Sequence, residues 1–89
     1  MNAAELGRSI FDRRRPALSE RQVAVRLTSI DYHDWRLLAL DGLTEALQND
    51  GLTEAEIAAA SALVGSGYFG RSTAGLKDLL STATIVSAA

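Results

Sequence analysis

Two stretches of the chain carry the same order of polar and apolar positions, thirty-four residues apart. Leu18-Ser19-Glu20-Arg21-Gln22-Val23-Ala24 runs in step with Leu52-Thr53-Glu54-Ala55-Glu56-Ile57-Ala58. In each, a hydroxyl residue can accept from the free N–H groups of a first helical turn. Three residues on, Gln22 or Glu56 can accept in return from the N–H of that cap. Leu18 with Val23, and Leu52 with Ile57, are spaced to staple the entering chain onto the helix. Helices are therefore predicted to start at Ser19 and at Thr53.

The apolar spacing elsewhere extends this to an all-α reading. Residues 2–14 form a first predicted helix with Leu6, Ile10 and Phe11 on one side, ended by Pro16, which disfavours helical geometry at Arg15. The second predicted helix sets Val23, Leu27 and Ile30 on one face, with Gln22, Arg26 and Ser29 opposite. A third start is predicted at Asp31, with Asp34 three residues on and Ile30–Trp35 as the staple. The helix 32–49 that follows is apolar on most of its circumference, so its burial is expected within the fold or against a second chain. Gly42 within it points to close approach of another backbone, Trp35 to the core, and Gly51 to a left-handed stop. An alanine-rich fourth helix runs from Thr53 to about Val64. Gly65-Ser66-Gly67-Tyr68-Phe69-Gly70 is a loop, and a last helix begins near Ser72 or Thr73, aligning Leu76, Leu79, Leu80, Ala83 and Val86. The β-branched residues Thr82, Thr84, Ile85 and Val86 weaken its end. The expected fold is a small bundle of four to five short helices arranged as two helical hairpins. It is one domain over 1–89, with residues 1–17 as a loosely attached N-terminal helix or arm. A second likeness, Gly42–Leu47 with Gly75–Leu80, allows either a duplicated hairpin or two independent applications of the capping rules.

Composition narrows the chemistry. The chain has no cysteine, which excludes disulfides and thiolate metal sites, and its single histidine, His33, has no second imidazole to share a metal. No metal site, cofactor or catalytic group is expected. No apolar run reaches the length of a membrane span, and the start of the chain lacks a signal-peptide core, so a cytoplasmic location is expected. The net charge of −2 is unevenly spread. Residues 1–36 hold seven arginines against five acids, whereas the remainder holds two bases against six acids. The front third is thus the basic part of an acidic chain.

Three candidate surfaces follow. Tyr68, Phe69 and Arg71 are the residue types that dominate protein interfaces, and they are the candidate partner-binding residues. Arg13, Arg14 and Arg15 form a short cluster that could contact nucleic-acid phosphates, as the arms of DNA-binding domains do. Gly67, Gly70, Ser72 and Thr73 precede a helix and form a candidate anion site. Gly65-x-Gly67-x-x-Gly70 matches a dinucleotide-binding pattern in letters only, because it follows a helix where that loop follows a strand. Tyr68-Phe69-Gly70-Arg71 ahead of a helix resembles the second helix-turn-helix of AraC-type regulators, which implies DNA binding by the last helix. That helix carries one base, Lys77, beside Asp78, and the loop before it is longer than a tight turn.

The leading expectation is a small helical protein that acts by binding another protein, as regulator, adaptor or assembly subunit, without catalysis. A homodimer through helix 32–49 is expected from its apolar surface. The alternative is a helix-turn-helix transcriptional regulator using the basic front third.

Overall fold

The computed structural model describes residues 1–88; Ala89, the last residue of the expected domain, lies outside them. The described residues form five α-helices: α1 (Ala3–Arg14), α2 (Glu20–Asp31), α3 (Trp35–Leu47), α4 (Glu54–Gly65) and α5 (Thr73–Ser81). Short 3-10 turns at Arg15–Ala17 and Gly70–Ser72 precede α2 and α5. The all-α bundle is as the apolar spacing predicted, and the sequence-adjacent pairs α2–α3 and α4–α5 pack on each other. No described helix is long and apolar enough to cross a membrane.

The N-terminal segment, expected as a loose arm, is instead at the centre. Ala3, Leu6, Gly7, Ile10 and Phe11 recur at helical spacing and are all buried. They pack against the Leu38, Ala39, Gly42, Leu43 and Ala46 stripe of α3, the most extensive helix pair in the fold. Burying Leu6 and Ile10 completely stabilises by about 1.5–3 kcal/mol each. A third capping box starts this helix: the Asn2 side chain accepts from the Glu5 amide at 2.8 Å, and the Glu5 carboxylate accepts from the Asn2 amide at 2.9 Å. The close approach of backbones predicted at Gly42 occurs at Gly7. A methyl there would lie 2.8 Å from Leu38 Cγ and 3.2 Å from the Ala39 backbone nitrogen. Gly42 instead receives the Ile10 side chain, 3.2 Å from where its own Cβ would be.

The α2–α3 corner also differs from expectation. The cap of α3 is Asp34, whose carboxylate accepts from the Leu37 amide at 3.2 Å, while Asp31 is the last residue of α2. His33 closes α2 in the left-handed region at φ 56°, with its amide donating to Ile30 O and the Asp34 amide to Ser29 O. Trp35, expected in the core, is half-buried at the surface, stacked on His33 at 5.3 Å with the Arg8 guanidinium 5.1 Å from its ring.

The rotation of α2 is the largest departure. Arg26 and Ser29, predicted to face solvent, are the buried residues, and Leu27, predicted to face inward, is exposed along with Val25. α3 is covered by α1, α2 and α5. The apolar face that suggested a homodimer is therefore largely filled within one chain. At the far end α5 stops at Ser81, short of Ala83 and Val86. Residues 84–86 run extended instead, with Leu52 N donating to Thr84 O at 3.0 Å and Val86 N to Leu52 O at 2.9 Å. Gly51, at φ 106°, makes this possible: a Cβ there would collide with Thr84 O.

Candidate functional site

Because α2 and α5 both rest on α3, the surface between them is a groove of about 770 Å³. Its α2 wall carries Gln22, Val25 and Arg26, and α3 contributes Leu40, Asp41 and Thr44. From α5 come Gly75, Leu76 and Leu79, with Arg71 and Ser72 from the turn before it. A Cβ built on Gly75 meets nothing within 4 Å, so that wall is open to an incoming group. The groove thus combines aliphatic sides with an arginine-bearing rim.

Arg26 sets its chemistry. It retains only 4% of its exposure, and its Nη2 donates to the Asp41 backbone oxygen at 3.2 Å. Nη1 is buried with no hydrogen-bond partner. Among the described residues no ion pair holds this guanidinium, which is unusual for a buried arginine. An unsatisfied donor on a buried charged group costs about 1–3 kcal/mol or more. Burial raises the Asp41 carboxyl above its ordinary pKa; the Arg26 charge pulls the other way and Asp34 adds to the rise. Arg21 and Arg71, both exposed, stand on the rim, on α2 and before α5 respectively. The other groove carboxylate, Glu45, is already engaged by Arg14 and by the Asn49 amide.

The candidate residues from the sequence fall in three places. Arg71 and Ser72 line the groove. Phe69, expected as an exposed contact, is a core residue with 4% exposure beside Val64 and Leu76. The turn folds it inward because Gly67, at φ 77°, reverses the chain after α4. Tyr68 is half-buried, packed edge-on against Phe69 at 5.1 Å, with the Arg36 guanidinium 5.1 Å from its ring. The amides of Gly70, Ser72 and Thr73 donate to Gly67 O, Phe69 O and Gly70 O. They are therefore not turned outward as an anion cradle, and Gly67 and Gly70 serve to shape the turn.

Arg13 and Arg14 are bound within the fold. Arg13 Nη2 donates to Glu56 Oε1 at 2.7 Å and to Gly51 O at 3.1 Å, and its Nη1 lies 3.5 Å from Asp50. Glu56 is fully buried and also accepts from Ser9 at 2.8 Å and the Thr53 amide at 3.0 Å. Burial alone pushes its carboxyl up; the bonds from Arg13, the Thr53 amide and Ser9 together outweigh burial and hold it below the usual range. Arg14 grips Glu45 with Nε and Nη2 and reaches Asp50 at 2.8 Å, and its bond to Glu45 raises its pKa further. Arg15 lies over the Phe11 ring at 5.2 Å. This cluster ties α1 to the α3–α4 connection, a role the sequence reading of a phosphate-contacting cluster missed. Among the described residues no group of three His, Cys, Asp or Glu side chains gathers that could hold a metal ion.

Arg26 and Asp41 were absent from the sequence candidates, since helical spacing put Arg26 on the outer face. Comparison with protein-family models, curated proteins and solved structures returned no match to this chain.

Proposed function

We propose that this protein is a small helical binding module, a regulator, adaptor or assembly subunit, that receives a segment of another protein between α2, α3 and α5. It acts by occupancy and performs no chemistry of its own. The observation that carries this reading is the buried, unpaired Nη1 of Arg26 beside an open, aliphatic-sided groove. A volume of about 770 Å³ suits a few side chains, and a mostly apolar cleft with a small number of placed polar groups is the usual form of a binding site. Arginine in a desolvated setting is also among the residues that dominate interface energetics. The nucleic-acid alternative draws no support from Arg13 and Arg14, whose donors are engaged by Glu56, Glu45 and Asp50.

A photo-crosslinking side chain at Val25 or Gly75, introduced in the native host, tests this. The expected result is one protein adduct of defined mass from both groove positions and none from Ala58, which is exposed on α4. Equal or absent labelling from groove and control positions would overturn it.

A further inference from the structure

We infer that the groove's partner segment is acidic, and that it places one Asp or Glu carboxylate on the free Nη1 of Arg26 while aliphatic side chains of the same segment lie against Val25, Leu40 and Leu79. This rests on the reading of the groove as a protein-binding site and names the chemistry of its occupant.

Three observations select that occupant. The guanidinium is more than nine-tenths buried and keeps a donor that no described residue satisfies. A carboxylate is the group its planar fork receives best, and a charge-assisted bond in such surroundings is about twice as strong as a neutral one. The rim charges act in the same direction: Arg21 and Arg71 are exposed, whereas the Glu45 carboxylate is already neutralised by Arg14. Finally, Asp41 supplies Arg26 with its backbone oxygen, and although its carboxyl feels the Arg26 charge, no ion pair joins the two among the described residues.

A peptide fits better than a small free anion. Such an ion would leave the Val25, Leu40 and Leu79 surfaces uncovered, and the groove is far larger than one anionic group fills. A nucleic-acid backbone fits worse again. It is bound through rows of accessible cations, whereas the exposed cations lining this groove are Arg21 and Arg71 and the chain is net −2.

The test is selection of short random peptides displayed on phage against the full chain. An enriched peptide is then synthesised with and without its acidic residue changed to the amide, and titrated by NMR. The expected consensus is Asp or Glu flanked by aliphatic residues, with binding that shifts the Arg26 side-chain resonances. Affinity should fall about tenfold or more when the acid becomes the amide. Arg26→Met should lose a similar factor and no longer tell the two peptides apart. The ligand-side change keeps the test valid even where the protein variant folds poorly. If enriched peptides bind the groove but are neutral, or lose nothing on amidation, the carboxylate assignment is overturned while the groove stands. If no enriched peptide shifts any groove resonance, the binding-module reading falls with it. If inorganic phosphate shifts Arg26 with the affinity of the peptide, the site is one for small ions and the peptide assignment is overturned.

Discussion

α2 and α4 start alike, have the same length and stop alike, yet they present opposite kinds of residue to the core. Both are twelve residues long, both begin with a hydroxyl cap and a complete capping box, and both end at a left-handed residue thirty-four positions apart, His33 and Gly67. The closing bonds also correspond, His33 N to Ile30 O with Asp34 N to Ser29 O, and Gly67 N to Val64 O with Tyr68 N to Leu63 O. Within these matched ends, α4 buries Ala59, Ala60, Val64 and Glu56, while α2 buries Arg26 and Ser29 and exposes Val25 at 45%. At the thirty-four-residue offset Arg26 corresponds to the fully buried Ala60, and the exposed Gln22 to the fully buried Glu56. Local rules set where a helix begins and ends; which side turns inward is decided by its neighbours. α4 lies against α1, which offers Arg13 and Ser9 to Glu56, and against α5. α2 rests on α3 and leaves one flank to the groove.

The contrast can be broken most severely by exchanging the matched core positions. Ala60→Arg puts into α4 the residue that α2 carries, at a fully buried position, and should cost about 4 kcal/mol or more. Thermal denaturation should lose its cooperative transition. A folded variant within about 1 kcal/mol of the parent would show that α4 can also turn over.

The matched capping residues come next. Glu56→Gln strands Arg13 beside a neutral partner and should cost about 3 kcal/mol, against about 0.5–1 kcal/mol for Gln22→Ala, which removes only an exposed cap contact. Urea denaturation of the two variants measures the difference. Acid sharpens it. Because the folded Glu56 pKa is depressed, its contribution is fully present above the unfolded value near 4.5 and is lost as pH falls through the lower folded value. The parent should therefore lose stability in that window, and Glu56→Gln should show a flatter profile there.

Smaller effects separate the two stops. Gly67→Ala forces a methyl into the left-handed region and should cost about 1 kcal/mol. His33→Gly relieves the same strain, offset by the lost stacking on Trp35, and should change stability by less than about 1 kcal/mol. Calorimetric melting of the pair resolves the sign. The smallest effect belongs to the exposed side of α2: Val25→Ser should stay within about 0.5 kcal/mol in the free protein.

Much of the framework was legible because it is local. Ser19 and Thr53 cap as the hydroxyl-x-x-Glu/Gln spacing predicts, and Gly51 ends the turn after α3. Asn2-x-x-Glu5 carries the same signal with an amide in place of the hydroxyl and was there to be read. The rotation of α2 was not legible: spacing puts Val23, Leu27 and Ile30 on one face, yet Arg26 and Ser29 are the residues buried, and the packing on α3 that decides this leaves no local mark. The binding of Arg13 by Glu56 joins residues forty-three positions apart, and no local pattern marks it. Phe69 looked exposed because a glycine-rich loop gives no sign of folding back on the core. Of the groove, Arg71 and Ser72 were found on their own merits, and Arg26 was missed with the face that carries it.

The most direct measurement is the stability of Arg26→Met by urea denaturation. Methionine occupies similar buried space and leaves no charge without a partner. The expected midpoint equals or exceeds that of the parent, because no internal ion pair is lost. A drop of about 3 kcal/mol or more, the cost of breaking a buried ion pair, would contradict it and mean that Arg26 is already engaged within the fold.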